Sequence, residues 1–192
     1  MGTEIKKAME LAMQYHRGQT RTGEGGRMVP YYEEHVRKVY EILCREAGIE
    51  EEDILIMALL HDTLEDTALT RQQIAEEFGE DIAGQVEYLT RHEGQSFQEY
   101  ANLLFQKGDD RAVLVKLADR LHNLRTILYI RDKKWIAKKV RQTERDILDN
   151  FSERQLAERY HVPAEYLAAQ IREELSKIRS VYPALQGQDK IY

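Results

Sequence analysis

The sequence predicts an all-α protein, a compact multi-helix bundle folded as one domain over residues 1–192. Three observations carry that prediction. Apolar residues recur at steps of three and four along most of the chain. Only three prolines and eleven glycines interrupt it, while the strong helix formers Ala, Leu, Glu, Lys, Arg and Gln abound. Hydrophobic residues at 42% and charged residues at 32% describe a chain that buries a core rather than staying disordered.

Taken in order, Ile5, Ala8, Met9, Leu11, Ala12 and Tyr15 place a first helix over 3–16. Arg17 to Pro30 then breaks the pattern with four glycines and a proline and reads as a loop, long enough to imply a purpose. A helix follows from Tyr31 to Ala47, with Gly48 as its C-terminal cap. The apolar run from Ile54 to Leu60 fits a buried strand as well as a helix. The acids Glu50 to Asp53 ahead of it suit a helix N-terminus and predict a helix over 51–62. Thr70 caps a helix over 71–78 that Gly79 closes, and further helices occupy 80–91 and 96–106. Asp109 and Asp110 open a helix over 111–130, followed by one over 134–150. Two closing helices, 152–160 and 164–181, complete the chain, with Pro163 heading the second.

The single cysteine, Cys44, excludes an internal disulfide or a cysteine-rich zinc site and is expected to be a buried, inert thiol. No apolar run approaches the roughly 18–20 residues of a membrane span, and the N-terminus lacks an apolar signal core. A cytoplasmic protein without membrane contact is the expectation. The net charge of −6 argues against broad nucleic-acid binding but leaves room for a small anionic substrate. Gln155 to Leu167 has the rhythm of a helix–turn–helix, the mark of a regulatory binding module, yet lacks a basic recognition face. Packed closing helices at a homo-oligomer contact are the simpler reading.

The densest chemical signal is His61-Asp62-Thr63-Leu64-Glu65-Asp66, directly after the apolar helix. Ionisable groups at the end of a buried helix are costly unless a cation compensates them. If the helix continues, His61 and Glu65 share one face, and Asp62 and Asp66 the next. Taken alone, a solvated, charged helix end accounts for this cluster equally well. A second cluster shifts the balance. Lys116, Asp119, Asn123 and Thr126 form one helical stripe that begins in the apolar segment Ala112 to Val115, whereas Leu117, Leu121 and Leu124 form a core stripe. A polar stripe there suits a cavity wall, although a plain Lys–Asp or Asp–Arg helix pair remains the alternative. His35 completes a possible ligand set. His16, His92, His122 and His161 read as capping or surface residues. Two histidines and two aspartates suit manganese, iron, magnesium or zinc, with positions left for water and a phosphate oxygen.

At these residues the sequence resembles the HD phosphohydrolases. More narrowly, it is similar to the hydrolase domain of the RelA/SpoT-type alarmone enzymes and their small stand-alone relatives. The matching stretches are His16 to Glu24, Pro30-Tyr31 ahead of His35, Ala58 to Thr67, and Val115 to Thr126, within residues 5–150. The resemblance implies an HD-domain fold and a manganese-dependent pyrophosphohydrolase that removes the 3′-diphosphate of guanosine 3′,5′-bis(diphosphate). His35, His61, Asp62 and Asp119 match the metal ligands. Glu65 and Asp66 match the acidic pair that orients or deprotonates water. Arg21 matches the residue that stacks on the nucleobase, and Asn123 and Thr126 those that touch the nucleoside. Lys116 and Arg120 are candidates for phosphate contact. The chain departs from the family pattern by the insert Gly25-Gly26-Arg27-Met28-Val29, by one extra residue between Tyr31 and His35, and by Thr22 in the loop. Nucleoside monophosphates or another phosphorylated metabolite stay open as substrates.

Overall fold

The computed structural model describes residues 2–183. Helices dominate, as expected. The first, α1 (Thr3–Tyr15), buries Ile5, Ala8 and Ala12. The segment read as a loop is a hairpin: β1 (Thr20–Thr22) and β2 (Met28–Pro30) pair antiparallel, Arg21 opposite Val29. Strands of three residues are too short for an alternation to announce them. Gly25 and Gly26 form the tip at φ 68° and 77°, a conformation that costs other residues about 1–2 kcal/mol. A continuous helix, α2, runs over 31–46, with two wide π turns, Tyr32–Val36 and Ile42–Glu46, around the segment Arg37–Glu41. Beyond it the Ile49 N–H donates to Leu43 O at 2.9 Å, as expected past a capping glycine. Cys44, on the last turn, is half-buried rather than buried, and what burial it has raises its thiol pKa.

Every residue from Ile54 to Leu60 is buried in α3 (Glu52–Leu60), a helix apolar on all sides and therefore central. The helix stops at Leu60 instead of continuing through Asp62, and α4 (Thr63–Asp66) starts afresh. Thr70 with Gln73, and Ser96 with Glu99, form capping boxes for α5 (Arg71–Phe78) and for the helix that follows α6 (Glu80–Leu89), namely α7 (Phe97–Lys107). Next comes α8 (Asp110–Arg125), whose N-cap Asp109 accepts from the Arg111 and Ala112 N–H groups. It ends at Arg125, short of the expected 130, and a 3-10 turn Ile127–Tyr129 follows.

The closing part differs most from expectation. A continuous helix, α9, occupies 133–153, and α10 is one helix, Glu158–Val181, with Pro163 inside it. No second helix starts at 152. The Arg154 guanidinium donates to Asp110, Phe105 O and Gly108 O, and this draws residues 154–157 off the helical path. The break expected ahead of Pro163 is helical instead, so Gln155 to Leu167 holds no turn flanked by two helices and the helix–turn–helix reading falls. Pro163 removes one backbone donor. Burial of Ala164, Leu167, Ala168, Ile171, Leu175 and Ile178 on the face along α8 outweighs that loss.

The core surrounds α8, which packs against α2, α3, α6, α7 and α10. All of its residues from Ala112 to His122 are buried, charged ones included. Among the described residues no helix is long and apolar enough to cross a membrane.

Candidate metal centre and its cleft

The break after α3 shapes the centre. Thr63 Oγ1 donates to Leu60 O at 2.7 Å, and Asp62 adopts φ −102°, ψ −1°. His61 and Asp62 therefore sit in a turn between two helices, fixed by the packed body of α3. His61 donates from Nδ1 to Ala58 O at 2.8 Å, so its Nε2 faces inward. The π turn Tyr32–Val36 brings His35 to the same point; such wide turns recur at functional sites. Asp119 arrives from α8.

The donor atoms converge. His61 Nε2 lies 2.9 Å from Asp62 Oδ2 and 3.9 Å from Asp119 Oδ1. His35 Nε2 lies 3.2 Å from Asp62 Oδ2, 3.3 Å from Asp119 Oδ1 and 3.3 Å from His61 Nε2. His35, His61 and Asp62 offer atoms that all fall within 4.8 Å of one another, and Asp119 adjoins them through the two histidines. Adjacent ligands bonded at about 2.0–2.2 Å to one ion stand about 3 Å apart, so the spacing fits a small divalent cation. The all-nitrogen-and-oxygen donor set fits one too.

Neighbours hold each donor. Tyr31 Oη donates to Asp62 Oδ2 at 2.5 Å, and Lys116 Nζ and Asn123 Nδ2 donate to the two oxygens of Asp119 at 2.8 and 2.5 Å. His122, expected at the surface, is buried, with Nδ1 2.8 Å from Nδ1 of His35. His16, also expected to be a capping or surface residue, is buried at the end of α1; its ring lies against Tyr31, with centroids 5.2 Å apart. Burial would raise both aspartates, but His61 and His35 beside Asp62, and Lys116 and His35 beside Asp119, hold them well below the usual carboxylate range. Burial would also lower His61, but Asp62 and Asp119 outweigh it and hold the imidazole up to about 9. Burial, with His35 and Arg21 nearby, pushes His122 down to about 2, so that ring is neutral.

The centre opens on a cleft of about 400 Å³. Glu65 and Asp66 line its near side. Glu65 accepts from the Arg91 N–H at 3.0 Å. Partial desolvation, with Asp62 and Glu65 adjacent, pushes Asp66 up to about 6. The rest of the lining is basic and aromatic: Lys116 and Arg120 from α8, Arg91, and Trp135, Lys138 and Lys139 from α9. Arg120 is 3% exposed, lies 4.9 Å from the Phe97 ring centre, and its Nε has no protein partner. Burial, with Arg120 and Lys116 close by, brings Lys139 down to about 8.

Of the residues expected to meet substrate, Lys116, Arg120 and Asn123 line the cleft, whereas Arg21 and Thr126 are not among its walls. Arg21 instead donates from Nη2 to Thr126 Oγ1 at 3.1 Å and Asn123 Oδ1 at 3.4 Å. Sequence reasoning missed Tyr31, His122 and the α9 wall. Trp135, Lys138, Lys139 and Gln142 do stand at helical steps of three and four, a stripe that could have been read.

Comparison with known proteins agrees with this architecture. The HD-domain family profile matches residues 8–159. A guanosine-3′,5′-bis(diphosphate) 3′-pyrophosphohydrolase of Aquifex aeolicus is 38% identical over 138 residues, covering 68% of this chain and 19% of that protein. A GTP pyrophosphokinase of Brucella melitensis is 40% identical over 139 residues, 68% of this chain and 18% of its own length. The chain thus spans about a fifth of these relatives. Among solved structures, a metazoan ortholog of SpoT, described as hydrolysing ppGpp, superposes with a TM-score of 0.73 at 27% identity, covering 90% of this chain and 96% of that one. A Listeria monocytogenes protein, at TM-score 0.58 and 22% identity over 76% of this chain and 94% of that one, shares the fold. With the fold, the His-Asp turn and the profile in agreement, the chain belongs to the HD-domain family.

Proposed function

We propose that this chain is a cytoplasmic, single-domain, metal-dependent pyrophosphohydrolase that removes the 3′-diphosphate of guanosine 3′,5′-bis(diphosphate). One observation carries the reading: four nitrogen and oxygen donors, from His35, His61, Asp62 and Asp119, converge beside a cleft lined with Lys and Arg side chains. The near full-length likeness to the metazoan SpoT ortholog supports the substrate. A divalent cation, proposed to be manganese, would be held by those four residues and would supply Lewis-acid activation of water and of a phosphoryl oxygen. The chain's own groups do the rest. Asp66, with its carboxyl near 6, accepts the proton of the attacking water at neutral pH, and Glu65, held by the Arg91 N–H, orients it. Lys116 and Arg120 meet phosphate charge, Asn123 and Thr126 the nucleoside, and Arg21 stacks on the base.

A second reading is a phosphate-dominated site that tolerates many bases. It draws on the tie of Arg21 to Thr126 and Asn123 and on the cations lining the cleft. Incubating manganese-loaded protein with a nucleotide panel and resolving products by chromatography separates the two. Release of pyrophosphate and guanosine 5′-diphosphate is expected. Hydrolysis of simpler phosphomonoesters alone would favour the second reading, and no hydrolysis at all would remove both.

A further inference from the structure

The centre holds its two histidines differently. His61 donates from Nδ1 to a backbone carbonyl, which leaves Nε2 bare in the neutral ring. His35 has another imidazole in that place. Its Nδ1 faces His122 Nδ1 at 2.8 Å, the rings are 4.9 Å apart and inclined at 47°, and the side chains are 1% and 6% exposed. Two facing ring nitrogens at this distance share one proton: two would collide, and none would set lone pair against lone pair. In one arrangement His122 donates, and neutral His35 keeps its proton on Nε2, toward Asp62 and Asp119. In the other, His35 donates from Nδ1 and His122 accepts. Only the second frees His35 Nε2 to give a lone pair to a cation.

We propose that His122 is a positioning residue for the metal centre, accepting the Nδ1–H of His35 and fixing that ring with Nε2 bare. The inference rests on the metal reading proposed above. A neutral partner suits the charge balance. Asp62 and Asp119 already bring two carboxylates to the centre. A carboxylate behind His35, a common partner of metal-bound rings, would add a third negative charge beside a phosphate substrate. Imidazole orients the ring without that repulsion. It also comes from the same helix as Asp119, three residues on, so α8 positions one donor and orients another.

The test titrates wild type, His122→Phe and His122→Gln with Mn(II), following free Mn(II) by electron paramagnetic resonance. Melting temperatures of the chelator-treated proteins report folding. His122→Phe, with bulk but no acceptor, is expected to bind about 10–100-fold more weakly. His122→Gln, whose amide oxygen accepts, is expected to recover most of that. Wild-type affinity in His122→Phe overturns the inference, and equal loss in both variants assigns the effect to ring packing and overturns it as well. Wild type that binds no Mn(II) overturns the metal reading instead. Should His122→Phe fail to fold, ¹⁵N spectra of the zinc-loaded wild type decide. A protonated Nε2 and bare Nδ1 on His122 are expected, and a proton on its Nδ1 overturns the inference.

Discussion

On the metal side of the cleft every buried charge faces a partner at hydrogen-bond distance: Asp62 has Tyr31 and two histidines, and Asp119 has Lys116, Asn123 and His35. On the basic and aromatic side Arg120 and Lys139 lie over rings instead, Arg120 over Phe97 and Lys139 over Phe97 and Trp135. The first side is complete within the protein apart from a cation. The second keeps a buried guanidinium whose Nε has no protein partner and a half-buried ammonium, with Asp119 the acid near both, so donors stay open to an anion where the low dielectric strengthens attraction. Preorganisation thus takes two forms here, saturation on one wall and deliberate deficit on the other.

The largest effect expected breaks the saturated wall. His61→Ala or Asp62→Ala should lower divalent-metal affinity by more than about 100-fold, beyond what partners behind a ligand are worth, and take turnover to background. Elemental analysis that finds full metal content in both variants would remove the ligand assignment. Next, Glu65→Gln and Asp66→Asn should keep the metal and lose about 10²–10⁴-fold in kcat. Because Asp66 must be ionised to accept a proton and its pKa is raised to about 6, the wild-type rate should fall as pH drops through about 6. Near-normal turnover in both variants would contradict the proton-transfer role.

A smaller effect sharpens the account of the other wall. Lys139, brought down to about 8, is charged below that pH and neutral above it. KM for a phosphate substrate should therefore rise as pH climbs through about 8. Lys139→Arg should abolish that limb, and Lys139→Ala should raise KM by about 10–100-fold, from the 1.5–3 kcal/mol of a hydrogen bond to a charged group. A flat KM between pH 7 and 9 in wild type would show that Lys139 does not meet the substrate. The smallest effect is expected at Arg21, where Ala should raise KM for the guanosine alarmone more than it lowers kcat, because stacking persists into the transition state. Unchanged alarmone kinetics would place the base elsewhere.

What was legible in the sequence follows from locality. The Lys116–Asp119–Asn123 part of the polar stripe and the Thr70 N-cap depend on spacing within one helix, and both stand in the structure as the spacing predicts, whereas Thr126, the C-cap of α8, falls outside the cleft. The partnership of His122 with His35 crosses from α8 to α2, and no period within either helix reveals it. The break at Arg154 is likewise tertiary, since one guanidinium gathers Asp110 and two carbonyls from other turns. The apolar run before His61 identified α3 but not its last residue, because Thr63 and the turn at Asp62 end it locally.

The hairpin register has a consequence for how such a protein changes over time. Arg21 pairs with Val29, and the tip between them is exposed glycine. Residues added to that tip in pairs lengthen the ribbon and leave Arg21 on its present face, whereas a single addition that shifted the pairing would turn it over. A residue inserted into α3 would rotate His61 and Asp62 by about 100° inside a fully packed core. Length variation is thus cheap at the hairpin, in steps of two, and prohibitive at the His-Asp turn. If the hairpin meets the base as proposed, a lineage of such proteins has room to drift in what it recognises while its chemistry stays fixed.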